Sequence, residues 1–284
     1  MSQKRAKHAS GFAVELKESL LDSGRISFLA KSALSDLSFF VLFSIAFTWF
    51  FQKIAPLIEQ INLLMSQLGG SMPSDYSMPD KESFGEIVAQ YQQVTDLAHA
   101  LFYYLAILIA VTFLLWCVFQ GTSWWIAHRK LKHEVSWLQF IKRFSAASLV
   151  YALLTAVILL IIAQISRITS FGGIGLIDTR TLFYAGAIAL IALSYFAVYT
   201  FAVLDEGFRK MLRALRKTAV SSWKKSLPPF IAVLIILGVF YIVMKAIAYS
   251  GTDVFYTVLA GLIIFLPMAA WIRVYMCRTV NNIK

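Results

Sequence analysis

The residues of this chain that could do chemistry are few, and they come in small groups. Asp96 and His99 stand three positions apart, on one face of any helix that contains them. A carboxylate beside an imidazole can pass a proton or begin a metal site. A metal asks for three or four ligands, and the neighbouring sequence offers no others, so an outer-mouth polar pair is the plainer reading. His128 and His133 bracket HRKLKH, with three cations between them. That spacing and charge suit a solvated basic turn better than a metal. The sequence holds no HExxH pair and no GxxxxGK[ST] loop. The third group is cationic: Arg209, Lys210, Arg213, Arg216 and Lys217. Its natural partners are anionic lipid headgroups or an acidic protein surface. No catalytic, cofactor or metal constellation is expected.

The elements that carry these groups follow from composition. Of the 284 residues, 59% are hydrophobic and only 14% are charged, and the apolar ones come in runs. Runs of about 18 or more read as membrane-spanning helices. Six are expected, at about 37–53, 100–120, 145–165, 182–204, 229–248 and 254–272. The fold class is therefore all-α, a polytopic integral membrane protein with six transmembrane helices. All but five of the 26 Lys and Arg residues fall on one side of this arrangement, the five being Lys53, Lys81, Arg167, Arg180 and Lys245. Lys and Arg are retained in the cytoplasm, which places both termini inside. The net charge of +11 then reports orientation rather than nucleic-acid binding. The first apolar run follows 35 residues with six basic ones and no small-residue cleavage site, so it is expected to be a retained span. In a prokaryote the location would be the plasma membrane.

Three segments are distinguished. Residues 1–35 form a basic amphipathic cytoplasmic segment. Residues 36–120 hold spans 1 and 2. Residues 121–284 hold spans 3–6 with basic connections at 121–144 and 205–228. Spans 1 and 2 outrun the bilayer. Ile54, Leu57, Ile58, Ile61, Leu64, Met65 and Leu68 make one helical stripe, and Phe84, Ile87, Tyr91, Val94, Ala98 and Leu101 make another. They predict an extracytoplasmic helical hairpin with its tip at about 69–82, Gly69-Gly70 as stop and Ser83 as a cap. Its arms either stiffen spans 1 and 2 or lie on the outer surface; the alternative is a recognition element for an external protein partner. In the fourth connection Phe208, Met211, Leu212, Leu215 and Ala219 lie opposite the five cations, giving a basic amphipathic helix for anionic lipid on the cytoplasmic face.

Charged residues are absent from the span centres. Arg273, Asp205 and Lys245 fall near span ends, where long side chains reach the interface. Trp124, Trp125 and Trp137 fit interfacial anchors. Ser148, Ala152 and Ala156 in span 3, and Ala185 and Ala189 in span 4, are small-residue stripes suited to helix packing. Pro228-Pro229 opens span 5 in its first turn. Cys117 and Cys277 are expected to be unpaired. The plan is similar to permease subunits of ATP-driven transporters, with 205–228 where a coupling helix would lie; their EAA-type loop is not reproduced. Function reads first as a non-catalytic scaffold or accessory subunit. The alternatives are a permease or lipid-handling transporter subunit served by a separate ATPase, and a membrane-embedded enzyme acting on a lipid phosphate.

Overall fold

A computed structural model of the protein describes residues 26–71, 81–131, 135–171, 179–206, 208–251 and 253–283, and every element among them is helical. Helix α1 covers Ile26–Ser71 and α2 covers Lys81–Leu115. A π-helical turn, Trp116–Gln120, runs directly into α3, Gly121–Lys130. Then come α4, Trp137–Phe171, and α5, Thr179–Ala202. A 3-10 turn at Leu204–Glu206 leads to α6, Phe208–Leu215, and a second π-helical turn, Arg216–Ser221. Helices α7, Trp223–Tyr249, and α8, Val254–Ile283, complete the fold.

Six helical stretches are long and apolar enough to cross a membrane: Ser27–Leu68, Gly85–Lys130, Trp137–Arg167, Arg180–Ala202, Trp223–Tyr249 and Val254–Ile283. Each coincides with one expected span, although the fourth stops at Ala202. The physical reason is simple. In hydrocarbon a helix satisfies its own backbone, and these runs supply the apolar side chains.

The chain divides into two compact units, Ser38–Trp116 and the remainder. Within Ser38–Trp116, Phe39, Phe43, Phe47 and Phe51 form a ladder along α1, with successive ring centroids 5.9, 5.9 and 6.0 Å apart. Ile54 and Leu64 of the first expected stripe are buried, and Ile87, Val94, Ala98 and Leu101 of the second are half-buried. Ile58, Met65 and Tyr91 are exposed. The helix runs on through Gly69-Gly70 to Ser71, so the glycine pair does not stop it. A glycine costs a helix only about 1 kcal/mol, which a long helix absorbs. Helix α2 begins at Lys81, which puts Ser83 inside the first turn rather than at the cap. Residues 72–80, most of the expected tip, lie outside the described residues, as do 1–25.

In the other unit the buried core sits at one end of the helices. It draws Phe140, Phe144 and Ala147 from the start of α4, Tyr199, Phe201 and Ala202 from the end of α5, and Phe230 and Val233 from the start of α7. Trp124 and Ala127 of α3 and the stretch Ala270–Val280 of α8 complete it. Farther along, α4 packs on α5 and α7 on α8. There Leu153, Leu160, Phe183, Ile188, Tyr241 and Ile263 are exposed, as suits side chains that meet lipid.

Close helix approach uses glycines rather than the expected stripes. Ser148 is buried, but Ala152, Ala156 and Ala185 are exposed. The α4–α5 seam instead closes at Gly186, where an added Cβ would stand 2.6 Å from Ile162 Cδ1. At Gly121 a Cβ would meet Ile141 Cδ1 at 2.7 Å and the Phe144 ring at 3.0 Å. The Phe144 ring is fully buried and has nowhere to swing. Gly121→Leu is expected to cost about 1–3 kcal/mol by overpacking. Gly85→Leu, with open space around it, should cost far less. Chemical denaturation in mild detergent tests this, and equal losses would refute the close packing at Gly121.

Two further expectations change. Trp124 is not an interfacial anchor but a core residue, 7% exposed, with its ring 5.8 Å from that of Phe201. Trp125 and Trp137 do keep one edge outward; they donate to the Val135 carbonyl and the Thr122 hydroxyl. Pro228 and Pro229 stand in the second turn of α7, because the helix already starts at Trp223.

Candidate functional site: a buried ion pair beside two irregular turns

Arg273 does not reach for the interface. It is 6% exposed and pairs with Asp36, which is fully buried. The two residues are 237 positions apart. Arg273 Nη1 donates to Asp36 Oδ2 and Nη2 to Asp36 Oδ1, both at 2.8 Å, a bidentate fork. Nη2 also donates to Gln120 Oε1 at 2.7 Å, and Nη1 to the Ser32 hydroxyl at 3.2 Å. Gln120 Nε2 returns a bond to Asp36 Oδ1 at 3.0 Å, and the Ser123 hydroxyl adds another at 2.9 Å. The carboxylate thus accepts four bonds. Buried charge is costly unless it is paired and hydrogen-bonded, and here both conditions hold.

The site depends on the π-helical turn. Such turns insert extra backbone into a helix and occur frequently at functional positions. Gln120 ends this one and Ser123 follows in α3, and both side chains converge on Asp36. Ser35, next to Asp36, donates to the Phe119 carbonyl at 2.8 Å. The irregular turn is therefore tied to α1 by a hydroxyl as well as by the ion pair.

The second π-helical turn is held in the same manner. Tyr195 of α5 donates to the Ala219 carbonyl at 2.8 Å and sits 2.6 Å from the Ser226 hydroxyl. Tyr199 donates to the Ser226 carbonyl at 2.6 Å. Two tyrosines one helical turn apart thereby fasten the start of α7 to α5. Tyr151 and Thr200 likewise join α4 to α5, their hydroxyls 2.7 Å apart, whereas two other hydroxyls bond locally. Thr155 donates to the Tyr151 carbonyl and Ser194 to the Ile191 carbonyl, each within its own helix.

His128 is buried, not part of a solvated turn; His133 lies outside the described residues. His128 Nε2 donates to the Phe201 carbonyl at 3.0 Å. Cys277 Sγ lies 3.7 Å from the same nitrogen, and Asp205 Oδ1 lies 3.9 Å from Nδ1. The residue types match a nucleophile, base and orienting acid, but the arrangement does not. With its proton committed to a carbonyl, Nε2 cannot take one from the thiol, and Cys277 is 1% exposed. The two ring nitrogens also face different neighbours, so cysteine and aspartate cannot share one ion with this histidine. Among the described residues no three His, Cys, Asp or Glu side chains gather to hold a metal. Cys117 and Cys277 are both buried, and neither forms a disulfide among the described residues.

Asp96 and His99 are exposed on α2. In and after α6, Met211 and Ala214 are buried in the core while Lys210, Arg213, Arg216 and Lys217 are exposed. The Arg209 side chain lies outside the described ones. The sequence reading missed Asp36, Gln120 and Ser123, and it took Arg273 for an end-of-span cation. Compared with models of protein families, with curated proteins and with solved structures, the chain matches none.

Proposed function

We propose that this membrane protein is a non-catalytic scaffold or accessory subunit, with both termini in the cytoplasm and spans 1 and 2 extended as an extracytoplasmic hairpin. The observation that carries the reading is the closed bonding of its buried charges. Ionisable residues within membrane helices are functional candidates by default, because ion paths and relays need them. Here Arg273 and Asp36 are both committed to each other, to Gln120 and to hydroxyls of α1 and α3. Such a pair fixes which helices meet, and with what register. A protein built this way offers fixed surfaces to partners.

Purification of the full chain in mild detergent, with identification of what accompanies it, is the direct test. A stoichiometric protein partner is expected, and its loss when residues 72–80 are replaced by an equal length of Gly and Ser would assign it to the hairpin. A chain that purifies alone and moves solute across reconstituted vesicles would overturn the proposal. Orientation has its own check. A cysteine at Ser74 should react with an impermeant thiol reagent in intact cells, and one at Ser221 should not. The opposite pattern would reverse the membrane topology.

A further inference from the structure

A groove of about 670 Å³ runs along α4, bounded by α5 and roofed by α6. Its floor is Ala146, Ala147, Val150 and Leu154, and Met211, Leu212 and Leu215 close it from above. At one mouth stand two adjacent cations, Lys142 and Arg143. Arg143 Nη1 donates to the Leu204 and Asp205 carbonyls at 3.1 and 2.8 Å, which pins the guanidinium at that mouth. Lys142 is exposed and has no hydrogen-bond or ion-pair partner among the described residues. Inside, the Tyr151 hydroxyl meets that of Thr200 at 2.7 Å and Thr200 donates to the Phe196 carbonyl at 2.8 Å, so these groups are already satisfied.

Charge and length together select an occupant. From Lys142 to Leu154 the groove follows about 18 Å of helix at ~1.5 Å per residue. That is close to the ~15 Å depth of one leaflet, half of a hydrocarbon core of ~30 Å. An apolar trough of that length with cations at one end fits a chain whose head is an anion. We propose that this groove binds one acyl chain of an anionic phospholipid, with the phosphate on Lys142 and Arg143. The site does not depend on the scaffold reading, since a chain without a protein partner would hold the same lipid.

The test uses the full chain in vesicle-derived nanodiscs of mixed phosphatidylglycerol and phosphatidylcholine, with native mass spectrometry of the lipid kept after gentle delipidation. Wild type should retain phosphatidylglycerol over phosphatidylcholine by about five-fold or more, since one cation near the surface is worth roughly that factor. Lys142→Gln should lower the preference about five-fold while leaving the thermal midpoint unchanged. Ala146→Trp, which fills the trough and leaves both cations in place, should abolish retention of either lipid. Equal retention of the two lipids by wild type, or an unchanged preference in Lys142→Gln, would overturn the headgroup assignment. Displacement of the lipid by millimolar inorganic phosphate, or full retention by Ala146→Trp, would overturn the acyl-chain assignment.

Discussion

Asp36→Ala is expected to destabilise the protein by about 3–5 kcal/mol, because it leaves the Arg273 guanidinium buried without its counter-ion. Arg273→Ala should cost a similar amount, since the carboxylate would lose its bidentate partner. The combination Asp36→Leu with Arg273→Met should cost less than either single change. An apolar pair of similar volume removes both desolvation penalties at once and leaves Ser32, Gln120 and Ser123 to find new partners. Denaturation of the three variants in one detergent measures the coupling. If the double variant loses the sum of the two single losses, the pair is not a unit. If each single change is silent, the two charges are not paired in a buried site.

Phe144→Ala is the second large effect, again about 3–5 kcal/mol. The ring is fully buried, 4.7 Å from that of Phe201 and 6.5 Å from that of Phe140. It also lines the close approach to Gly121. Lipid cannot fill the void its loss would leave, because three helices surround it. Phe183→Ala provides the contrast. That ring is 71% exposed, with the adjacent Tyr184 ring 6.0 Å away, so its removal should change stability by about 0.5 kcal/mol or less. Thermal unfolding of the two variants side by side decides the matter. Similar losses would mean that the core is not concentrated where the burial places it.

What the sequence made legible was the property that acts locally. Each apolar run became a helix because its own composition and the hydrocarbon requirement suffice. Contacts between distant segments were not legible. Asp36 and Arg273 each fall just beyond an apolar run, one ahead of the first and one behind the last, so each resembles an ordinary boundary charge. Trp124 and His128 sit in a stretch of aromatics and cations that imitates an interfacial belt, yet α3 turns both into the core. The π-helical turns have no compositional signature, because a shift from i+4 to i+5 bonding is decided by what neighbours the freed carbonyls. In this protein those neighbours are Ser35 and Tyr195. The small-residue stripe failed for the same reason. Spacing identifies a smooth face, but the partner helix determines which face is used, and here it met Gly186.

The separation of Asp36 from Arg273 also has a consequence in time. The acidic partner is synthesised near the beginning and the basic one 237 residues later. At 5–20 residues per second, translation leaves Asp36 without its counter-ion for roughly 10–50 s. Gln120 and Ser123 are made within that interval, and both can donate to the waiting carboxylate before the guanidinium arrives. They thus hold the charge on a growing chain. The guanidinium of α8 later joins them, so the network around Asp36 closes only when α8 docks.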